Sequence, residues 1–123
     1  GLENATLLHR DHAELADAIP ASLHGRVGAA MFNLGYLPGG DRFIATHVDS
    51  TLRAVAAGLR VLRPGGVLVI LVYPGHPAGR AELDALREFL AGARSHEEPI
   101  DPGQANSPVL FVVRSDTCVD SPD

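Results

Sequence analysis

Short apolar runs alternate with amphipathic stretches along most of the chain. Residues 5–8, 27–32, 67–72 and 109–113 are continuous runs of apolar or small residues, and such runs predict buried strands. The run 67–72 is entirely aliphatic, so we expect it to be central in a sheet. Strands that alternate with helices through short loops predict an α/β fold with a mostly parallel sheet and flanking helices.

Three stretches between these runs have apolar residues at helical spacing. The first is short and ends at Pro20, with inward positions Leu15, Ala18 and Ile19. The second begins near Thr46, a candidate cap, and its predicted inward stripe is Val48, Leu52, Val55, Leu59 and Leu62. The third covers residues 79–93, with predicted inward positions Leu83, Leu86, Phe89 and Leu90. Its charged positions predict a solvated face: Glu82, Asp84, Arg87 and Glu88.

The loops after the second and third apolar runs are the candidate functional loops. Ligands bind outside the carboxyl ends of strands in open α/β sheets, and these two loops would lie at that edge. Residues 35–42 contain three glycines and a proline, which indicates a shaped turn. The pattern therefore locates a site at the ends of two neighbouring strands.

Composition and charge narrow the functional classes. The 123 residues fit one domain, in which the polar residues 115–123 are predicted to form a flexible tail. A net charge of −5 argues against a broad basic surface for nucleic acid, so any RNA contact must be local. The single cysteine excludes an intrachain disulfide framework and fits a reducing setting. With no apolar run of about 20 residues, the sequence predicts a cytoplasmic protein without a membrane span.

An asparagine at a strand end carries the first chemical signal. Asn33 ends the second run, and Tyr36 follows three residues later. This spacing resembles the Asn-Pro-Pro-Tyr motif of amino-group methyltransferases, in which the amide oxygen and a backbone carbonyl accept hydrogen bonds from an amine and the aromatic ring stacks on a base. An alkyl amine must also lose a proton, at a cost of about 4 kcal/mol at neutral pH. Asp41 and His76 are the candidate proton acceptors, directly or through a water.

Longer strings around these residues resemble one family. They are F-N-L-G-Y-L-P-G-G-D, an R-P-G-G turn and Y-P-G-H-P-A-G-R-A-E, and the match covers residues 5–114. Together they are similar to the putative rRNA methylase family, which belongs to the class I methyltransferases with a Rossmann-like fold. The resemblance implies S-adenosylmethionine as cofactor and tRNA as substrate. The implied reaction methylates the 5-aminomethyl group of the wobble uridine.

The resemblance also implies which residues contact each ligand. The cofactor residues it implies are Asp11, His12, Asn33, Leu34 and Gly35. The substrate residues it implies are Tyr36, Leu37, Pro38, Gly39, Gly40, Tyr73, Gly75 and His76. No metal is expected, because the remaining histidines do not pair at metal-ligand spacing: His9, His24, His47 and His96.

The sequence departs from the family pattern before residue 5. Class I methyltransferases begin with a strand, a glycine-rich turn for the methionine part of the cofactor and an acidic strand end for its ribose, and the sequence has no counterpart of these. Residues 1–114 are therefore predicted to be the later part of a methyltransferase domain, truncated at its N-terminal side. The alternative is a non-catalytic module for binding or dimerisation, for which a homodimer is one arrangement. An unrelated α/β hydrolase ranks last, because no Gly-x-Ser-x-Gly elbow is present.

Overall fold

The computed structural model describes residues 4–34 and 48–115. Two 3-10 turns, His12–Glu14 and Ala21–Leu23, flank the short helix α1, Leu15–Ala18. Two longer helices follow, α2 at Val48–Val61 and α3 at Pro77–Phe89. The strands are β1 at Val27–Leu34, β2 at Leu62–Val72, β3 at Ser95–Pro99 and β4 at Val109–Arg114.

The four strands form one sheet in the order β1-β2-β4-β3. The α/β fold class is confirmed, and β2 lies inside the sheet as its aliphatic run predicts. Among the described strands only β1 and β2 are parallel, with α2 between them in the chain. Strand β4 pairs in antiparallel fashion with both β2 and β3. The described sheet therefore differs from the mostly parallel one expected, because β4 returns antiparallel to both of its neighbours.

The core lies on one face of this sheet, under α2 and α3. Alternate residues of β2 are fully buried there, at Leu68, Ile70 and Val72, and β4 contributes Phe111. The opposite face, which we call the open face, is left uncovered by the described helices. It carries Ala29, Met31, Asn33, Val67, Val69, Leu71, Leu110 and Val112. The run 27–32 was predicted to be a buried strand, and burial on both faces was expected only in a parallel sheet. In the described residues one face of β1 is exposed, since Met31 is 72% exposed.

The buried face of α2 is rotated from the predicted stripe. Its buried residues are Thr51, Ala54, Val55, Ala57, Gly58 and Val61, whereas Leu52 and Leu59 are only partly buried. A Cβ at Gly58 would lie 3.3 Å from side-chain atoms of Leu68 and Phe32. The helix therefore approaches the sheet through its small residues, and the larger leucines pack at its sides.

Two further expectations are wrong, and one strand was missed. Residues 5–8 form no strand, and Leu7 is 94% exposed, because this short run meets no partner strand among the described residues. Phe89 is exposed, since α3 ends there rather than at residue 93. Strand β3 was not predicted, because Ser-His-Glu-Glu-Pro has no apolar alternation; such charged strands are typical of sheet edges.

Candidate functional site

The carboxyl ends of β1 and β2 lie side by side. Leu34 pairs with Val72 in the parallel register, and the Tyr73 amide donates a hydrogen bond to the Leu34 carbonyl oxygen at 3.4 Å. The segments that follow both strands therefore start at the same edge of the sheet, as expected. This edge is where an open α/β sheet binds ligands.

Asn33 lies at this edge with its side chain exposed. It pairs with Leu71, and both residues belong to the open face, whereas the neighbouring Phe32 and Leu34 are buried toward the helices. The amide of Asn33 is therefore accessible to a ligand. The other predicted site residues of this loop lie outside the described residues: Gly35, Tyr36, Leu37, Pro38, Gly39, Gly40 and Asp41.

His76 is the N-cap of α3. Its backbone is extended, and its Nδ1 accepts a hydrogen bond from the Gly79 amide at 3.3 Å. Pro77 follows at the first helical position, where proline is favoured. A neutral imidazole that accepts at Nδ1 has its hydrogen on Nε2. In this tautomer the Nε2 atom of His76 is a hydrogen-bond donor.

Gly79 brings the start of α3 against the end of β2. A Cβ at this position would overlap the carbonyl oxygen of Tyr73 and would lie 3.2 Å from Nε2 of His76. Only glycine allows this approach. Gly75, by contrast, has open space where a Cβ would stand. The spacing Tyr-x-Gly-His-x-x-Gly therefore encodes a close junction between strand and helix.

Glu82 is the functional candidate that sequence reasoning missed. It was assigned to a solvated helix face, but it is 0% exposed and accepts a hydrogen bond from the Thr51 hydroxyl, itself 1% exposed. The other three charged residues of that face are exposed as predicted: Asp84, Arg87 and Glu88. A usable signal was the three-residue spacing of His76, Gly79 and Glu82, which places them on one side of α3.

Asp11 and His12 lie on the other side of β1. The carboxylate of Asp11 caps the first 3-10 turn by accepting a hydrogen bond from the Ala13 amide at 2.8 Å. The ring of His12 meets the ring of Phe32 edge-on, with centroids 6.0 Å apart. Since Phe32 faces the helices and Asn33 belongs to the open face, the structure brings His12 to β1 but not to the Asn33 side of the sheet.

The clearest electrostatic perturbation is far from this edge. Hydrogen bonds to Glu97 raise the pKa of Arg87 above its ordinary value. This pair borders a cavity of about 260 Å³ at the end of α3 opposite His76. Within the ranges that the structure describes, no three His, Cys, Asp or Glu side chains are close enough to hold a metal ion. None of the helices in residues 4–34 and 48–115 has the length and apolar character to span a membrane.

The fold and the strand-end site define a domain of the class I methyltransferase type. The crystal structure of a putative rRNA methylase from Clostridium thermocellum is similar with a TM-score of 0.73 and 32% identity, over 89% of this chain and 60% of that one. A putative methyltransferase from Streptococcus mutans, solved in complex with SAH, has a TM-score of 0.66 and 28% identity, over 84% of this chain and 56% of that one. Residues 1–100 match the family described as Putative rRNA methylase, and the chain belongs to that family.

A curated relative has a specific name. The chain is 42% identical over 90 residues to the chloroplastic tRNA (mnm(5)s(2)U34)-methyltransferase of Arabidopsis thaliana. This match covers 73% of the chain and 32% of the relative. The chain thus spans about a third of that relative and less than two thirds of the two solved relatives.

Proposed function

We propose that this chain takes part in transferring a methyl group from S-adenosylmethionine to an amino group in RNA. The substrate group we favour is the 5-aminomethyl group of the tRNA wobble uridine. One observation supports this most: Asn33 is exposed at the edge where the ends of two parallel strands meet. The name of the Arabidopsis relative supports the substrate, and the SAH complex of the Streptococcus mutans relative supports the cofactor.

The described residues fit part of this cofactor's surroundings. When bound, S-adenosylmethionine supplies a methyl group on a positively charged sulfur. An accessible side-chain amide at a strand end can orient such a ligand or the amine that receives the methyl group. We assign contacts with the cofactor to Asn33 and Leu34 at the end of β1, with Gly35 after them. Asp11 and His12 remain candidates for its adenine side.

The chain's residues would act mainly by orientation. The amide oxygen of Asn33 would accept a hydrogen bond from the substrate amine, aiming its lone pair at the methyl group. Tyr36 would stack on the base, and residues 37–40 with Tyr73 and Gly75 would line the substrate side. As the nitrogen–carbon bond forms and the sulfur–carbon bond breaks, the amine nitrogen must release a proton.

The cap geometry of His76 supports different proposed roles for the two candidate proton acceptors. Because Nδ1 of His76 accepts from the Gly79 amide, the neutral ring presents Nε2–H, which donates rather than accepts. We therefore assign proton acceptance to Asp41 or to a water that it orients, and we assign His76 the role of a capping residue of α3.

A labelled-methyl assay tests the proposal. The chain is incubated with methyl-labelled S-adenosylmethionine and tRNA bearing 5-aminomethyluridine, and label in the tRNA is measured. We expect Asn33→Ala to reduce the rate by about 100-fold or more, since orientation of the amine is lost. Asn4→Ala removes an exposed amide elsewhere and should leave the rate unchanged. Equal rates for both variants would refute the assignment of Asn33.

The open face supports a second candidate function, a non-catalytic binding or dimerisation module. Among the described residues β1 pairs only with β2, so its other edge is available, and the apolar side chains of the open face continue from this edge. Calorimetry with S-adenosylmethionine separates the two candidates. Binding supports the methyltransferase role, whereas absence of binding together with self-association supports the module.

A further inference from the structure

The hydrogen bond between Thr51 and Glu82 joins the starts of two helices. Thr51 lies in the first turn of α2, and Glu82 lies in the second turn of α3. Among the described elements, α2 follows β1 and α3 follows β2. We propose that Thr51 and Glu82 are positioning residues, which fix the start of α2 relative to the start of α3 and the adjoining end of β2. This inference rests on the function proposed above.

The hydrogen bond between Thr51 and Glu82 is suited to this role because it is buried and depends on the direction between the two groups. Both side chains are almost completely inaccessible to solvent. Apolar contacts between helices tolerate small sliding movements, whereas a buried carboxylate that loses a hydrogen-bond partner is strongly penalised. The Thr51 hydroxyl is one of the groups that Glu82 contacts. A displacement of α2 along α3 would separate them.

Two further contacts connect α3 to the ends of β2 and β1. Helix α3 is fixed to the end of β2 by the approach of Gly79 to the Tyr73 carbonyl. The end of β2 is fixed to the end of β1 by the hydrogen bond from Tyr73 to Leu34. The Thr51–Glu82 bond then ties α2 to α3. The end of β1 at Leu34 and the start of α2 at Val48 thereby belong to one connected set of contacts.

Kinetics of matched variants test the role. Thr51→Val removes the hydroxyl while keeping the shape, and Thr51→Ser restores the hydroxyl. Glu82→Gln replaces one carboxyl oxygen by an NH2 group, which cannot accept a hydrogen bond. Glu88→Gln, an exposed position on the same helix, is the control. The chain is assayed with methyl-labelled S-adenosylmethionine and tRNA bearing 5-aminomethyluridine, and cofactor affinity is measured separately by calorimetry.

A positioning role predicts that the substitutions change kcat much more than the affinity for S-adenosylmethionine. We expect Thr51→Val and Glu82→Gln to lower kcat about 10- to 100-fold while the Kd for S-adenosylmethionine changes by less than about threefold. Thr51→Ser should recover kcat to within about threefold of the original chain, and Glu88→Gln should match it. If Thr51→Val or Glu82→Gln does not fold, Glu82→Asp replaces it, which keeps the carboxyl group but shortens its reach to Thr51.

The outcomes are distinguishable. An original chain without methyl transfer would refute the proposed function and this inference with it. An active original chain whose folded Thr51→Val and Glu82→Gln variants, or the replacement Glu82→Asp, keep the original kcat would refute the inference alone. Equal losses of kcat and cofactor affinity that Thr51→Ser does not rescue would also refute it, since these indicate general loss of structure.

Discussion

The backbone amide of Tyr73 donates a hydrogen bond to the carbonyl oxygen of Leu34, which joins the carboxyl ends of two parallel strands. Around this contact lie the exposed Asn33 on one strand and the capping His76 after the other. The candidate site therefore depends on close packing between these two strand ends and the helices that follow them.

Substitution of Gly79 by alanine should be strongly destabilising. The added Cβ would overlap the backbone carbonyl of Tyr73, which cannot rotate away as a side chain could. We expect a loss of about 2 kcal/mol or more in the free energy of unfolding, measured by urea denaturation. Gly92→Ala is the control, since a Cβ there meets nothing within 4 Å. Equal stabilities of the two variants would contradict the described junction.

The capping role of His76 can be tested by two substitutions. His76→Ala removes the acceptor for the Gly79 amide and should cost about 1 kcal/mol of stability. His76→Asn supplies another capping oxygen and should cost less than about half of that. The measurement is again urea denaturation. If alanine and asparagine are equally destabilising, the cap is not what His76 contributes to stability.

The predictability of this fold from sequence follows the strength of each pattern. The uninterrupted aliphatic run of β2 and the helical spacing of apolar residues in α3 are clear patterns. Both elements were located within a few residues. The run at residues 5–8 looked similar, but an apolar run forms a strand only where a partner strand is available, and Leu7 is exposed. The charged edge strand β3 has no such pattern at all.

The edge that carries the candidate site residues was predictable from the sequence, but the contacts that support it were not. The strand-end rule located Asn33 and the segment after β2 correctly at one edge. Glu82 was misassigned because a carboxylate on a helix is usually solvated, and its buried partner Thr51 is 31 positions away in sequence. Such pairing depends on how two helices pack, which periodicity within each helix does not specify.

The open face should promote self-association. Met31 is the most exposed of its large apolar side chains, so Met31→Glu should lower concentration-dependent association in sedimentation velocity. Leu7→Glu alters a leucine that is even more exposed but lies outside this face, and it should have no such effect. A chain that is monomeric at all concentrations, or an equal response to both substitutions, would contradict a role for the face in association.

The Arg87–Glu97 pair should contribute little to stability. Their side chains are 45% and 36% exposed, so solvent screens the interaction and a double-mutant cycle should give less than about 1 kcal/mol. The pKa of Arg87 is raised in the folded chain by its hydrogen bonds to Glu97. A pKa that is raised in the folded chain stabilises the fold at every pH below the pKa of the unfolded chain. This contribution is lost only as the pH rises through the pKa of the folded chain. The coupling should therefore be constant between about pH 6 and pH 9. A coupling that falls within this range would contradict the assignment.

Mass spectrometry of nucleosides tests the central claim most directly. The chain is incubated with S-adenosylmethionine and tRNA carrying 5-aminomethyluridine, and the tRNA is digested and analysed. We expect 5-methylaminomethyluridine to appear in proportion to the amount of chain added and to be lost with Asn33→Ala. Unchanged 5-aminomethyluridine in the presence of folded chain and cofactor would contradict the claim.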